Sequence, residues 1–401
     1  MKSITWAIAI VAIVVLAGAG AVLMTGHGGD DVQDGTDYVT DSAGRSVPIP
    51  ESLDGGIVVV GMSTSPLRLL SMFDVHDHVI EVDMNEVNNP LNGRGYAFAF
   101  DYTDCDYHAN NTLDNETVES IASKNPSLVV VMDTVYTTYR DNVEILSNAA
   151  PTFVLKVQMD LWDEDVSGIS DEMSRTIDTL GRLLGQEERA EELISGIDSI
   201  IKDIRSLVGE SDLRAYLAGA NYGGTNTLNT TLARYDPFTL TGLHNAYTGG
   251  ETSKVEIPVE RLTRMDFDIM VLDPSSADKY GDPNSQLVMQ YYHSINSDSD
   301  PDNDVRIYTA MPVSGFGTNY DGVLVNGYFL AHVFYGQLTG EQMLERIDNI
   351  YTVFYGDAGK DVFQKMDAAY QDYFGRLGYD MSLLAQVEIV DDGGRFEFRT
   401  V

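Results

Sequence analysis

The sequence predicts an α/β protein of two similar lobes with mostly parallel sheets, joined by one long connector helix and preceded by an N-terminal transmembrane segment. Three observations carry that expectation. Short unbroken apolar runs bounded by glycine, such as GGIVVVG at 55–61, alternate with helical patterns, and a strand buried on both faces reads as a continuous apolar run. A stretch of helical periodicity near 168–208 divides the chain. A motif of the first half also recurs in the second. Val118-Glu119-Ser-Ile is followed by six residues and an apolar strand, and so is Val259-Glu260-Arg-Leu.

The chain opens with ITWAIAIVAIVVLAGAGAVLM, Ile4 to Met24, 21 residues without a charge. About 20 apolar residues span a bilayer. Lys2 precedes the run and no Lys or Arg follows until Arg45, which puts the N-terminus in the cytoplasm and the remainder outside. Residues 1–26 are thus expected to be a membrane anchor, single-pass, and 27–37 a polar tether. The small-residue run Ala17-Gly-Ala19 leaves a cleaved signal segment as the alternative.

The N-terminal α/β lobe is expected over 38–166. It begins with a hairpin, Tyr38 to Thr40, a turn at Asp41 to Gly44, and a strand stopped by Pro48 and Pro50. After the strand in GGIVVVG come a helix from Pro66 to Phe73, a strand from Val79 to Val82, a helix from Glu116 to Ser123 and a strand from Ser127 to Met132. That alternation implies a mostly parallel sheet. Between them lies GRGYAFAFDY, 93–102. As an extended strand it would place Tyr96, Phe98, Phe100 and Tyr102 on one face. That face is either core or a wall for a ligand, and its two hydroxyls need partners if buried.

Residues 167–209 read as the connector, with Ile177, Leu180, Leu183 and Leu184, then Leu193, Ile197, Ile200, Ile201 and Ile204 at helical spacing. Gly181 and Gly185 weaken its middle and suggest a bend or break. The C-terminal α/β lobe, 210–380, holds strands Leu213 to Leu217, Ile269 to Leu272 and Arg306 to Thr309, and a helix from Gly322 to Tyr335. Residues 381–401 are left as a C-terminal extension.

The formal net charge of −37 offers no basic footprint and argues against nucleic acid. The acids are spread along the chain, as on a solvated acidic surface. One cysteine, Cys105, can make neither an intramolecular disulfide nor, alone, a thiolate metal site. No G-x-S-x-G elbow, GxxxxGKS/T loop or HExxH occurs, so a metal-cofactor enzyme finds no catalytic constellation, and the chain is not expected to be an enzyme. His108, His244 and His293 are candidates for axial coordination of a haem or cobalt, and Tyr phenolate can also ligate haem iron. A direct metal ligand is not assigned.

The hairpin VTDSAGRSVPIP, the strand IVVVG, ETVESIASKNPSLVVV, LGRLLGQEERAEELI, VEIPVERLTRMDFDIMVLD and VRIYTAMPV together resemble the substrate-binding proteins of ABC importers for iron chelates, haem and cobalamin. The resemblance covers about residues 38–375. The chain departs from it in three places: Phe267 stands where proline is usual, the lipid-attachment cysteine is missing, and Asp83 to Leu113 is enlarged. The resemblance implies no intrinsic cofactor. It implies a ferric chelate (a siderophore or haem) or a corrinoid as ligand, bound between the lobes in the loops beyond the strand ends, with an ABC permease dimer and its ATPase as partners. Those loops carry Tyr96, Tyr102, Tyr136, Tyr222, Tyr247 and Tyr320, whose flat rings and polar tips suit a large chelate. They also carry Arg94, which could pair with a ligand carboxylate or phosphate or be a surface charge. Glu119 and Glu260 match the pair that docks on the two permease halves. The alternative for each is a favourable charge in a helix's first turn. A cell-surface ligand sensor of the same fold without a transport role is the second functional reading, and it needs no such symmetric pair.

Overall fold

The computed structural model describes residues 37–61, 65–88, 93–220, 226–250, 254–297, 304–313 and 317–401. Strands β1 (Tyr38–Thr40) and β2 (Ser46–Pro48) form the expected antiparallel hairpin. Asp41 fixes its turn by accepting the backbone N–H groups of Ala43 and Arg45 at 2.9 and 2.8 Å. Its second oxygen accepts the N–H of Val154, which ties the hairpin to the first lobe.

That lobe runs β3 (Ile57–Val60), α1 (Ser65–Leu70), β4 (Val79–Asp83), α2 (Met84–Asn88), α3 (Tyr96–Ala99), β5 (Asp106–His108), α4 (Asn115–Ser123), β6 (Leu128–Met132), α5 (Asp133–Thr138), α6 (Arg140–Ser147) and β7 (Thr152–Leu155). The sheet has the order β5-β4-β3-β6-β7 with every pair parallel. Ile57 to Val60 and Leu128 to Val131 are at most 1% exposed. Each such side chain contributes about 1.5–3 kcal/mol on burial, so these two central strands anchor the lobe.

The aromatic stretch is not a strand. Tyr96 to Ala99 form one helical turn in which the N–H groups of Phe98 and Ala99 bond the Gly95 carbonyl and that of Phe100 bonds the Tyr96 carbonyl. The free edge of β4 that the stretch would have needed is taken by β5.

The connector is two helices rather than one, α7 (Asp171–Leu184) and α8 (Glu187–Leu207). Helix α7 starts where the Ser170 hydroxyl accepts the Met173 N–H at 3.0 Å, and stops at Gly185, whose φ of +66° lies in the left-handed region. Glycine alone takes that conformation at little cost. Gly181 then lets α8 approach, since a Cβ there would stand 2.5 Å from the Ala190 Cβ.

The second lobe comprises β8 (Arg214–Ala218), β9 (Thr230–Leu232), α9 (Asp236–Thr241), β10 (His244–Asn245), β11 (Lys254–Glu256), α10 (Val259–Leu262), β12 (Ile269–Leu272), α11 (Pro283–Asn296), β13 (Arg306–Thr309), α12 (Tyr320–Leu330), α13 (Gly340–Tyr355), α14 (Val362–Leu377), β14 (Gln386–Asp392) and β15 (Arg395–Thr400). Its sheet has the order β10-β8-β12-β13-β14-β15, parallel up to β13 and antiparallel beyond. Strands β9 and β11 form a separate antiparallel pair. Helix α12 is buried all round, as a helix enclosed by its own lobe must be.

Two corrections and one duplication follow from this topology. Residues 381–401, set apart in the sequence, supply β14 and β15 and are part of the second sheet. The predicted helix 322–335 starts earlier, at Tyr320, and its last turn, Ala331–Tyr335, widens to a π-helix. In both lobes the second parallel strand lies on one side of the first and two later strands follow on the other, as β4-β3-β6-β7 and β10-β8-β12-β13, with β5 added beyond β4 in the first lobe. Among the described residues no helix is long and apolar enough to cross a membrane. The expected anchor Ile4 to Met24 and the tether up to residue 36 lie outside the described residues.

Candidate functional site

Sheets of this strand order leave a crevice beyond the carboxyl ends of their strands, at the switch between β3 and β6 in one lobe and between β8 and β12 in the other. Here those ends lead to Gly61 and Asp133 in one lobe and to Gly219 and Asp273 in the other. The segment 93–102 crosses from the first lobe to the second. Gly93 sits where a Cβ would overlap the Pro312 ring, and Gly95 sits against Asp321, Tyr351 and Tyr355. The Phe100 ring meets Tyr355 edge-on, with centroids 6.1 Å apart. The segment therefore fills the space between the lobes instead of lining an open wall.

Charge follows it inward. Arg94 is fully buried and pairs with Glu86 at 2.5 Å. The Tyr96 hydroxyl donates to the same carboxylate at 2.9 Å. Burial pushes the Glu86 carboxyl above its ordinary range, although Arg94 and the Tyr96 hydrogen bond pull it down. Asp83, at the end of β4, is pushed up by burial and by the Glu86 charge. From the second lobe Asp321 accepts the Tyr355 hydroxyl at 2.8 Å, and burial raises its carboxyl too. Arg68, buried on α1, attracts both Glu86 and Asp321. A network of two arginines, three carboxyls and several tyrosines thus closes across the lobe boundary. Arg68, Asp83, Glu86, Asp321 and Tyr355 were not singled out from the sequence. The available signal was an arginine inside the apolar run SPLRLLS.

The structure brings together Arg94, Tyr96, Tyr102 and Tyr320. The rings of Tyr96 and Tyr102 lie 6.4 Å apart, the Tyr102 hydroxyl is 2.9 Å from that of Ser71, and the Arg68 charge reaches both Tyr96 and Tyr320. The Tyr320 hydroxyl donates to the Val157 carbonyl at 3.1 Å and accepts the Met159 N–H at 3.2 Å, linking α12 to the chain just after β7. Tyr136 is half-buried elsewhere, its ring 5.2 and 5.9 Å from the guanidinium carbons of Arg45 and Arg140. Tyr247 is buried against Arg261, 5.7 Å away, which belongs to α10 rather than to a strand-end loop. Tyr222 lies outside the described residues. Of the candidate tyrosines that are described, all but Tyr136 are buried, their rings packed in the core.

Among the described residues no group of three or more His, Cys, Asp or Glu is placed to hold a metal ion. His108 has its Nδ1 2.9 Å from Glu81 and its Nε2 3.7 Å from Asp83. Burial pushes Glu81 up, but His108 and Lys124 outweigh it and hold that carboxyl below its usual range. The Nδ1 of His293 lies 2.8 Å from the Ile389 carbonyl, and His244 is exposed on β10. Glu119 and Glu260 are both exposed, on α4 and α10, the helices that feed β6 and β12, the strands next to β3 and β8. A surface hollow of 610 Å³ lies away from these groups, beside Gln371, Tyr379, Asp380 and Met381.

Residues 59–288 match the family described as periplasmic binding protein. A comparison with the curated proteins found no match. Among solved structures, an ABC transporter solute binding protein from Sulfurospirillum deleyianum superposes with a TM-score of 0.55 at 14% identity, covering 80% of this chain and 95% of that one. A TroA-like periplasmic binding protein, FepB, from Veillonella parvula gives 0.55 at 15%, over 80% and 96%. The molybdate periplasmic binding protein MolA of Haemophilus influenzae, bound to molybdate, gives 0.54 at 14%, over 80% and 98%. At these identities the likeness is one of fold.

Proposed function

The chain belongs to the periplasmic binding protein family, the substrate-binding proteins of ABC importers, and from that premise we propose that it captures an iron chelate (a siderophore or haem) or a corrinoid and delivers it to a permease and its ATPase. It is a binding protein and not an enzyme. The observation that carries the proposal is the duplicated sheet, whose two sets of strand ends face a shared space rich in tyrosine and buried charge. Arg94, Tyr96, Tyr102 and Tyr320 form the proposed binding wall. The ligand reaches them when the lobes part and the contacts of segment 93–102 with Pro312, Asp321 and Tyr355 open. Tyr136 and Tyr247, held against arginines on other faces, contribute little to it.

Protein purified from its own host is expected to carry the absorption band of its cargo, and the stripped protein to bind it again in calorimetry. No band, together with no heat from ferric siderophores, haemin or cobalamin, would refute the ligand class. Glu119 and Glu260 are the proposed docking pair. Glu119→Ala with Glu260→Ala should leave folding and ligand affinity intact but impair uptake, with permease binding weakened in a salt-dependent way. Transport at the wild-type rate would exclude that role. Segment Ile4 to Met24 is the proposed anchor, with the lobes outside the membrane. Protease added to intact cells should then degrade them.

A further inference from the structure

The geometry points to a buried proton site between His108 and Asp83 that keeps the boundary between the lobes closed while it is filled. Nothing in that site depends on which cargo the lobes carry. Glu81 and Asp83 are two residues apart on β4 and share one face of the sheet. His108 is the register partner of Asp83 on the parallel strand β5, so its imidazole reaches both acids. Its Nδ1 is 2.9 Å from Glu81 and its Nε2 3.7 Å from Asp83, and the His108, Glu81 and Asp83 side chains are 6%, 3% and 2% exposed.

Lys124 lies 2.8 Å from the other Glu81 oxygen. Glu81 is therefore an anion, and His108 Nδ1 donates its N–H to it. A neutral imidazole would then turn a bare Nε2 lone pair toward the Asp83 carboxylate. Neither Nε2 nor Asp83 Oδ1 has a hydrogen-bond partner of its own. Two buried acceptors that face each other destabilise the fold. One proton between them, carried by either atom, makes that atom a donor to the other.

The charges around the site call for the same proton. Lys124, Arg94 and Arg68 run along the network with Glu81, Asp83, Glu86 and Asp321, three cations against four acids. Asp106 also reaches Lys124, but it is 73% exposed and screened by solvent. Burial and the Glu86 charge push the Asp83 carboxyl well up, although the Gly61 N–H and Arg94 draw it down. A raised acid favours the closed form while protonated, and that support fades as pH climbs through the folded value. Once the proton is lost, Asp83 is a second anion beside Glu86, the partner of Arg94. Repulsion between the two acids loosens segment 93–102, and with it the packing of Gly95 on Asp321 and of Phe100 on Tyr355.

Trypsin reads this boundary in the full chain, because Arg94 is cut only when it leaves its buried pair. Lys360, 69% exposed, is the internal reference for the protease's own pH response. Cleavage after Arg94 relative to Lys360 should be about tenfold faster at pH 8.5 than at pH 6.0, up to one tenfold step for each pH unit above the folded value. Asp83→Asn, whose amide donates to His108 Nε2 at any pH, should keep the slow ratio at both. A wild-type ratio that is the same at both pH values, or an Asp83→Asn protein that follows the wild type, overturns the site. Nitrogen-15 spectra of histidine-labelled wild type supply a second reading that needs no variant. An Nε2 of His108 that is protonated or hydrogen-bonded at pH 6.0, and loses that state in step with the rise in cleavage, supports the site. A bare Nε2 at pH 6.0 overturns it.

Discussion

Replacing Arg94 with methionine isolates the energetics of the boundary between the lobes. The guanidinium is fully buried and pairs with a Glu86 side chain that is 2% exposed, so Arg94→Met leaves a carboxylate in the interior with the Tyr96 hydroxyl and the Arg68 charge as its remaining support. Removing one partner of such a pair costs about 3–5 kcal/mol. For a unit as large as 37–401, an unfolding entropy of about 2.1 cal/mol/K per residue turns that into a drop in melting temperature of roughly 4–6 °C. The loss depends on pH. Glu86 already lies above its ordinary value of 4.5 in the fold, and without Arg94 it rises further. A raised acid is stabilised when protonated, so the penalty is absent below the unfolded value and grows as pH climbs through the folded one. Calorimetry at pH 7.5 and pH 5.0 should show most of the deficit at the higher pH. Adding Glu86→Gln, which keeps an acceptor for Tyr96, should restore most of the loss. A single variant that melts with the wild type, or a deficit equal at both pH values, would refute this account.

Gly93→Ala should cost about 1–3 kcal/mol in urea unfolding, because a Cβ there overlaps Pro312 and φ is +66°. Gly44→Ala, at φ +78° with open space around it, should cost only about 1 kcal/mol. Equal losses would show that Gly93 does not pack on Pro312. Burial, with Asp106, Asp101 and Asp104 nearby, pushes the Cys105 thiol up to about 11. Alkylation of the native protein at pH 8 should therefore run roughly 100-fold slower than in urea, and equal rates would contradict this. Ser170→Ala removes the cap of α7 and should cost about 1 kcal/mol, read as a shift in the urea midpoint at constant slope.

The strands IVVV, LVVVM and IMVL were legible because a parallel strand covered on both faces has to be apolar throughout, and each of these runs is short and ends at a glycine or a polar residue. The duplication was legible because V-E-x-I/L keeps its distance from the strand it feeds. The connector's break was half-legible: Gly185 signals it, but whether a helix bends or stops depends on the approach of α8 to Gly181. YAFAF misled because alternation implies a strand only where a neighbouring edge is free. That edge belongs to Asp106–His108, three residues with little strand character of their own. The pairing of Arg94 with Glu86 was illegible for a related reason. An arginine in a polar loop reads as exposed, and only the second lobe closing over it takes it out of water. QVEIVDDGGRFEFRT carries the alternation and turn of a hairpin, yet nothing local says that it pairs with β13.

The late position of that hairpin gives the two lobes different schedules during synthesis. The first sheet has all its strands once Leu155 has emerged, and it can close while the rest of the chain is still being made or exported. The second cannot, because the outer edge of β13 stays bare until β14 (Gln386–Asp392) has been made. A bare parallel edge is a template for pairing with another chain. A chain stopped at residue 380 should therefore secrete poorly and aggregate through its second half, whereas one stopped just after β7 should keep a protease-resistant first lobe. Holding the cap for that edge until after α14 also makes it a checkpoint, since the second lobe is sealed only in chains that extend through β14.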